Sequence, residues 1–584
     1  MSFLPPWENI IETKKCRISG KDFFVTDKDL EFYDKISPVF GGQKYRIPSP
    51  TLCSDERQKR RLAFRNERKL YHRKCDKTGN QIISIYSPDK PYKVYDQKVW
   101  WSDDWSPFDY GMKFDFERWF FEQFGELIQQ VPLPASLGKN LENSDYTLHS
   151  SNLKNCYLAI SVAGWGENLY YVHQANNSKN CIDCSYVYDS EYCYECVDTH
   201  RSYHTLCSQD CDNCRECIFC YDCKNCTNCL FCFNLRWKQY YIHNKQYTKE
   251  QYMIELGRFS ITHDGVSLKG KIQQEKNTII HRYIHWINNE NCIWDYLNNC
   301  SWCFECFNYA DGENLRYINT GRGSKDSYDC NYTAFGSTWG VWSTWCWECL
   351  SPFPAHYTWL SMYVWDCTNA LYSNNCHGSN DIFWCSSFKK SHHCILNKSY
   401  SIQEYETLCG KIIDHMRSTG EWGEFFPHEL SPFGYDETVA QEYFPMTESE
   451  VREKGWNWKW EEETSSYHWP YYTPLPISQY DERVVGFDVA TKNINECLNW
   501  IIQCEIIGKP FKIIKQELAF YIENSIPIPT KHPDQRHRER IELRNPRNLC
   551  ERTCSECHND IVTTYLPDRS EKVVCEDCYR KLVY

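Results

Sequence analysis

The sequence lacks most features that identify common classes of protein. It has no run of about 18 uncharged apolar residues, which a membrane-spanning helix requires. Its first residues, MSFLPPWENIIETKKC, show no basic stretch followed by an apolar core, so we expect no signal peptide. No P-loop, dinucleotide fingerprint, HExxH motif or nucleophile elbow occurs. The first two absences lead us to expect a soluble, cytoplasmic protein, and the missing motifs remove the easily recognised enzymes and no others.

Cysteine and aromatic residues are abundant instead, with 36 Cys, 23 Trp and 42 Tyr beside only 6 Met in 584 residues. Cytoplasmic thiols stay reduced, so we expect bound metal or buried free thiols and not disulfides. A single core rarely exceeds about 300 residues, so we also expect three or more structural units.

One module occurs twice. Residues 65–101 align without gaps on residues 544–580, with 13 identities in 37 positions. The similarity extends upstream, so the N-terminal module covers about residues 16–101 and the C-terminal module about residues 504–580. Such a duplication predicts two related folds at the two ends of the chain.

The C-terminal module contains two CxxC pairs separated by seventeen residues. Four thiolates from two such pairs form a closed tetrahedral zinc site, and we predict one structural Zn²⁺ there. We expect the β-branched segments 561–567 and 571–574 to form the hairpin between the pairs. The predicted ligands are Cys554, Cys557, Cys575 and Cys578.

The N-terminal module has lost this site, since the aligned residues are Cys75, Thr78, Asp96 and Val99. An earlier site is degraded in both copies. In the C-terminal module Cys504 and His532 remain as a weak candidate metal pair, and the alternative is a buried thiol and a surface histidine.

An Arg-rich segment, 57–74, crosses the N-terminal module and has nine Lys or Arg against the single acid Glu67. It could neutralise several phosphates of a polyanion such as RNA or a ribonucleoprotein. The alternative is that its cations pair with acids elsewhere in a chain of net charge −13. The candidate polyanion-binding residues are Arg57, Lys59, Arg60, Arg61, Arg65, Arg68, Arg73 and Lys74.

The central array, CDNCRECIFCYDCKNCTNCLFC (211–232), has a cysteine at every third position. This spacing fits neither an α-helix nor a simple strand, and it favours the coils of a parallel β-solenoid with stacked buried thiols. Asn tolerates left-handed backbone and is expected at the bends. A metal cluster and a thiol redox relay are the alternatives. The Asn residues concerned are Asn155, Asn180, Asn213, Asn225, Asn228, Asn299 and Asn375.

The centre has two related halves, because residues 237–252 resemble residues 390–405 and each segment closes a Cys-rich stretch before a predicted helix. Thr447 and Glu450 predict a capping box, and Gly455 the end of that short helix. The predicted domains are a degenerate zinc-ribbon-like module (1–101), an aromatic helical connector (102–148), the first solenoid half (149–252), a connector (253–290), the second solenoid half (291–417), an aromatic acidic segment (418–480) and the zinc-ribbon module (481–584).

The order of motifs resembles uncharacterised Cys-rich zinc-ribbon proteins predicted from genomes of candidate-phyla (Patescibacteria-type) bacteria. The resemblance covers nearly the whole chain and is carried by CxxxGK…ELxFY, RNxRxL, CxxC…SPD…V, the Cys/Asn-rich middle closing on NKxY, GEWGEFFP and SPFGY. It implies paired CxxC ribbons and no particular activity. This sequence departs from that pattern at Ser19, Glu56, Thr78, Asp96, Val99, Ile507, His532 and Gln535.

We therefore expect a β-rich, non-enzymatic zinc-binding scaffold with treble-clef-like or zinc-ribbon modules flanking the solenoid. It would contact RNA through the Arg-rich segments or a protein through aromatic surfaces. One alternative is metal storage or thiol redox chemistry in the central array. Another is a Cys-dependent enzyme that uses His392 or His393.

Overall fold

The computed structural model describes residues 7–259, 261–333, 343–459 and 494–584. The chain packs as two compact units. Unit 1 comprises Met1–Leu137 and Ile284–Trp460, and unit 2 comprises Gly138–Tyr283 and Glu461–Tyr584. Each terminal module thus packs with the solenoid half that is more distant in the sequence, an arrangement that the linear order of domains does not suggest.

Twelve α-helices occur in the described ranges. In chain order they are α1 (Asp27–Ile36), α2 (Ser54–Leu62), α3 (Gln97–Trp101), α4 (Phe120–Gln130), α5 (Lys249–Arg258), α6 (Ile261–Thr278), α7 (Ile402–Thr419), α8 (Val439–Tyr443), α9 (Glu448–Glu453), α10 (Lys515–Glu523), α11 (Pro533–Glu542) and α12 (Glu576–Val583). None of these helices is both long and apolar enough to cross a membrane.

The predicted parallel β-solenoid is confirmed in both units. Neighbouring strands pair in parallel with residues twelve apart, for example Ser185 with Val197 and Arg215 with Thr227. The first solenoid half (138–246) begins eleven residues before the predicted start. Its strands are Gly138–Glu142, Ser150–Lys154, Ile160–Tyr170, His173–Ile182, Ser185–Tyr188, Val197–His200, Tyr203–Leu206, Arg215–Ile218, Thr227–Leu230, Gln239–Ile242 and Lys245–Gln246.

The second solenoid half (286–399) repeats this construction and ends before α7, whereas the predicted half (291–417) includes most of that helix. One of its coils is seven residues longer, because Tyr328 pairs with Trp347. Its strands are Trp286–Ile287, Leu297–Asn298, Ser301–Phe304, Phe307–Ala310, Glu313–Arg316, Asn319–Arg322, Ser324–Thr333, Ser343–Thr344, Trp347–Leu350, Phe353–His356, Trp365–Leu371, Asn380–Phe383, His392–Ile395 and Lys398–Ser399.

A regular coil has four sides of three residues, with a left-handed residue at every third position. From Asn168 to His243 this residue has a positive φ without interruption. The seven asparagines expected at bends all have a positive φ, between 49° and 55°, which confirms that prediction. Their side chains also form ladders between coils, and Asn213 Nδ2 donates to Asn225 Oδ1 at 2.7 Å.

The residue after each left-handed position faces the interior. The eight cysteines of the central array occupy these positions and are at most 2 % exposed. Four such side chains per coil leave little room, so small residues such as Cys, Ser, Ala and Val predominate, and larger ones such as Leu315 and Ile382 are fewer. Where Tyr309 enters the interior of the second half, Gly312 and Gly321 supply the space, since a Cβ on either would lie under 3.0 Å from its ring.

Both halves end in the same cap. The two NKxY segments each form a β-turn that returns the last strand as a short antiparallel pair, Ile242 with Lys245 and Ile395 with Lys398. A helix with a capping box follows in each case, α5 and α7. The related closing segments therefore cover the final coil, whose backbone groups would otherwise present an unpaired edge.

The two modules have elements in matching order. The N-terminal module has helices α1, α2 and α3 where the C-terminal module has α10, α11 and α12 at aligned positions. Module strands are Ile10–Lys15, Asp22–Thr26, Val39–Phe40, Gln43–Lys44, Tyr71–Lys74, Gln81–Ser84, Val94–Tyr95 and Leu133–Pro134 in unit 1, and Ile280–Arg282, Ile502–Gln503, Pro510–Phe511, Cys550–Thr553, Asp560–Thr563 and Lys572–Val574 in unit 2.

The predicted hairpin between residues 561–567 and 571–574 is wrong. Asp560–Thr563 pairs instead with Cys550–Thr553, across the turn that holds the first CxxC pair. Lys572–Val574 pairs in parallel with Ile280–Arg282, the strand that follows α6. Residues 561–563 and 572–574 do form strands, whereas residues 564–567 do not, and both strands pair with other parts of the unit.

The segment after α7 packs within unit 1. Thr447 and Glu450 form the predicted capping box at the start of α9, and Gly455 follows the helix with a φ of 73°. The predicted aromatic segment 418–480 lies within the described residues only as far as residue 459.

The left-handed corners predict which substitutions the fold tolerates at those positions. Asn225→Val should lower the unfolding midpoint, because a left-handed conformation costs an ordinary residue about 1–2 kcal/mol and a β-branched residue more. Asn225→Gly keeps the conformation and loses only the side-chain ladder, so its loss should be smaller. Thr227→Val, at the extended position of the same coil, is the control. Equal midpoints for the two valine variants in thermal denaturation would contradict the role of the corners.

Candidate metal centre and arginine docking sites

The four predicted zinc ligands come together. The Sγ atoms of Cys554, Cys557, Cys575 and Cys578 all lie within 4.8 Å of one another. Cys557 Sγ and Cys575 Sγ are 3.7 Å apart. Tetrahedral Zn²⁺ with Zn–S bonds of about 2.3 Å places its sulfurs about 3.8 Å apart. Elsewhere in the described ranges, no group of three or more Cys, His, Asp or Glu side chains meets the same distance limit.

Two local structures position the thiols. The first pair lies in the turn between two antiparallel strands, closed by the Cys554 amide, which donates to the Asn559 carbonyl at 2.8 Å, and by His558 in left-handed conformation. The second pair comes from the start of α12, where Cys575 is the N-cap and Cys578 lies in the first turn. A hairpin turn and a helix start thus bring the four thiols together.

The backbone favours a thiolate at this centre. Burial raises the pKa of the Cys554 thiol, but amide donors outweigh it and lower the pKa to about 6. One of these donors is the Cys575 amide, 3.3 Å from Cys554 Sγ. Cys554 is therefore ready to bind a cation at neutral pH.

The aligned part of the N-terminal module keeps the backbone without the ligands. The Asp96 amide lies 3.3 Å from Cys75 Sγ, the same separation as in the C-terminal module. The Asp96 carboxylate accepts from the Lys98 amide at 2.9 Å and caps α3. Thr78 and Val99 supply no thiolate, so this site cannot form a four-thiolate cage.

The weak pair Cys504 and His532 gains no third ligand in the described residues. His532 is the N-cap of α11, and its Nδ1 accepts from the Asp534 amide at 3.1 Å. Cys504 is buried in an apolar cluster with Phe511 and Leu518. These contacts favour the structural alternative for both residues.

The central array is a stack of buried thiols that donate to main-chain carbonyls. Each thiol has a main-chain carbonyl nine residues ahead as an acceptor, with Cys214 Sγ 3.2 Å from Cys223 O and Cys220 Sγ 3.5 Å from Cys229 O. Ser178 makes the same contact to Val187 O at 3.2 Å. Serine thus occupies the same kind of interior position, which a metal cluster would reserve for thiolates.

One interior column shows the interchange directly. Residues at successive coils are Ser178, Ser190, Ser202, Cys214 and Cys226, and the Cys214 amide donates to Ser202 Oγ at 3.1 Å. In the second half, burial raises the pKa of such interior thiols far above its ordinary value, as at Cys376 and Cys385. A protonated, buried thiol is neither a good nucleophile nor a metal ligand.

The cysteine nearest in sequence to His392 and His393, Cys394, does not form the candidate Cys–His pair with either of them. His392 and His393 precede Cys394, whose thiol is buried and donates to the His392 carbonyl at 3.1 Å. Burial raises the pKa of Cys394 to about 11.

The Arg-rich segment is buried against the second solenoid half. Arg57 and Arg61 on α2 are 3 % and 0 % exposed. Arg57 Nε lies 2.8 Å from Asp329 Oδ1, and Arg61 Nη1 lies 2.6 Å from Glu348 Oε2. Burying unpaired guanidinium groups would be very costly, so these carboxylates are essential to the packing.

The expected polyanion surface is therefore not formed by its central residues. Arg60 pairs with Glu424 at 2.8 Å, and Arg65 donates to Ser351 Oγ at 2.5 Å. Together with Arg57 and Arg61, these residues agree with the alternative prediction, in which the cations pair with groups elsewhere in the chain.

The other four candidate polyanion-binding residues are less deeply buried as a group: two form local ion pairs, one is half-buried and one is exposed. Lys59 pairs with Glu56 at 2.7 Å and Arg73 with Asp76 at 2.9 Å. Arg68 is half-buried, whereas Lys74 is exposed.

The C-terminal module uses the aligned arginines in the same way. Arg536, Arg540 and Arg544 align with Arg57, Arg61 and Arg65. Arg536 and Arg540 both pair with Asp183, the latter at 2.8 Å, and Arg544 Nε lies 2.8 Å from Asp198 Oδ2. Asp183 is fully buried and occupies a left-handed corner, as Asp329 does in unit 1.

Two tyrosines complete each docking site. The ring centres of Tyr171 and Tyr186 lie 4.5 Å and 3.7 Å from the guanidinium carbons of Arg536 and Arg544, respectively. In unit 1, Tyr317 and Tyr332 lie 4.8 Å and 3.7 Å from those of Arg57 and Arg65. Sequence analysis did not identify these acids and tyrosines. The signal was present, because Tyr, Asp and Tyr recur with the same spacing at 171, 183, 186 and at 317, 329, 332.

Removing the shared carboxylate should destabilise unit 2. Asp183→Asn keeps the left-handed corner but leaves two buried guanidinium groups without their main partner, and we expect a loss of about 3–5 kcal/mol in the free energy of unfolding. Asp189→Asn is the matched control, since Asp189 is an exposed left-handed residue of the same coil. Urea titration measures both, and a similar change in the two variants would contradict the docking role.

Serine should replace an interior cysteine of the array. Cys214→Ser matches the residue one coil earlier, so we expect less than about 1 kcal/mol of destabilisation. Cys214→Leu overfills the interior and should cost about 1–3 kcal/mol. Loss of bound metal, together with a large destabilisation, in the serine variant would support the cluster alternative.

No protein-family model matches the chain, and no match was found among curated proteins.

Proposed function

We propose that the protein is a non-enzymatic, metal-stabilised scaffold whose C-terminal module holds one structural Zn²⁺. The supporting observation is the closed set of four cysteine sulfurs within 4.8 Å of one another. Four thiolates favour zinc and leave no coordination position for a substrate or a reactive water. Bound there, the ion would hold the hairpin turn against the start of α12.

We also propose that the two modules are copies of one treble-clef-like or zinc-ribbon fold, of which only the second keeps its ligands. The aligned helices and the equal amide-to-sulfur separations at Cys75 and Cys554 support this. In this proposal the N-terminal copy survives without metal because its arginines still dock it to a solenoid half.

The outward columns of the solenoid are the surfaces that such a scaffold would offer to a protein partner. In unit 2 they include Tyr203 and Trp237, which are 41 % and 64 % exposed, and in unit 1 Trp302 and Tyr357, which are 49 % and 43 % exposed. Aromatic side chains are enriched where protein surfaces associate. Binding of RNA is not part of the proposal, because most cations on which that expectation rested are paired internally.

Metal analysis tests the zinc centre. Protein purified without added metal should contain about one zinc per chain by elemental analysis and native mass spectrometry. Cys554→Ser should remove most of it, because a closed site that loses one of its thiolates binds zinc far more weakly. Cys550→Ser is the control, since this thiol lies on the same hairpin and donates to the Thr563 carbonyl at 3.3 Å. Several metal ions per chain, or none, would contradict the proposal.

A further inference from the structure

The second pair of zinc ligands alternates in sequence with residues that bind other parts of unit 2, namely the strand after α6 and the first solenoid half. Glu576, next to Cys575, accepts from Arg282 Nε at 2.6 Å. Tyr579, next to Cys578, donates to Asp222 and accepts from Arg236 Nη2 at 2.7 Å. In the first turn of α12, the cysteines therefore face the metal site, whereas Glu576 and Tyr579 face the strand 280–282 and the first solenoid half.

The strand that leads into this turn is docked as well. Lys572–Val574 pairs with Ile280–Arg282 over three residues, and Val573 and Val574 are fully buried. Behind it, His281 Nδ1 lies 3.1 Å from Tyr221 Oη of the solenoid and 3.3 Å from Tyr565 Oη of the module. The metal-binding end of the module is thus attached by a short strand, one histidine, the polar contacts of α12 and an apolar cluster in which Ile280 and Tyr283 pack against Val573, Val574 and Tyr579.

A second attachment lies earlier in the module and contains no metal ligand. Helix α11 carries Arg536 and Arg540, which pair with Asp183 deep in the docking site. At least thirty residues separate this helix from α12. The two attachments are therefore distant in sequence, and they use different residues of the first solenoid half, Asp183 for α11 and Asp222 with Arg236 for α12.

The N-terminal module shows what replaces the metal when it is lost. Trp100 aligns with Tyr579, is fully buried and donates from Nε1 to the Pro132 carbonyl at 2.9 Å. His377 of the second solenoid half packs edge-on against it, with ring centroids 5.5 Å apart. A large apolar anchor thus holds α3 in place, whereas α12 has a tyrosine with polar partners in the same position.

We propose that metal binding at Cys554, Cys557, Cys575 and Cys578 is a latch for docking of the C-terminal module on the first solenoid half. With the ion bound, α12 is fixed to the hairpin and its polar contacts reach Asp222, Arg236 and Arg282. Without the ion, a helix of eight residues is too short to be stable alone, so α12 and the strand 572–574 detach. Helix α11 stays docked through its arginines.

This inference rests on the proposed zinc centre, and its test separates the two. Hydrogen exchange of the full chain is followed by mass spectrometry with zinc bound and after removal of zinc by a chelator. We expect exchange to accelerate at least about tenfold in residues 572–583 and 280–282, and less than about twofold in residues 533–542. Residues 97–101 of the N-terminal module are the internal control and should not change.

Cys557→Ser gives a sharper version of the test. Cys557 is the exposed ligand and lies in the hairpin turn, so its effect on residues 280–282 has to pass through the metal. We expect the variant to reproduce the chelator result, whereas Cys550→Ser should behave as the unchanged protein. Tyr579→Phe should loosen the same two segments while the zinc content stays at one ion per chain.

The possible results of the exchange experiment separate failure of the zinc centre from failure of the latch. Absence of bound metal in the unchanged protein overturns the zinc centre and the latch with it. Bound metal whose removal leaves residues 572–583 and 280–282 protected overturns the latch alone. Equal acceleration in residues 533–542 shows that the module opens as one body, and it overturns the separate attachment of α11.

Discussion

The repeated left-handed residue is the constraint on which the architecture depends. A corner at every third position fixes a side of three residues, and four sides close a coil of twelve. Only one side chain per side then faces the interior, so small residues predominate there. The unfavourable backbone conformation is offset by main-chain pairing between coils, by interior packing and by the side-chain ladders that Asn and Asp form at the corners.

The same constraint creates straight columns on the outside. Residues twelve apart lie above one another, so a carboxylate at one corner and tyrosines three and twelve residues away form a compact receptor for an arginine helix. Asp183 and Asp329 each occupy such a corner. Arginines spaced by four on α2 and α11 lie on one helix face and fit this receptor. The same pairing chemistry therefore occurs in both units.

The parts of this structure that follow from local chemistry could be predicted from sequence. The Cys spacing, the Asn corners, the cap of α9 and the grouping of four cysteines depend on neighbouring residues or on a metal motif. The partner of each module could not be predicted, because the arginines of α2 meet carboxylates about 270 residues away. An Arg-rich helix buried on acids and one exposed for phosphate have the same composition. The hairpin error has the same origin, since Lys572–Val574 pairs with a strand that is distant in sequence.

The coil length also determines how this chain can change in size. Adding twelve residues lengthens a solenoid half and leaves every outward column in place. Adding three preserves the inward pattern of Cys and Ser but rotates all later residues by one side, so that the docking receptors would face a different neighbour. Other lengths have to be accommodated locally, as at the bulge between Ala163 and Gly166 and in the long coil between Tyr328 and Trp347. The backbone would therefore accept insertions of three residues, but only insertions of twelve keep the docking receptors in place.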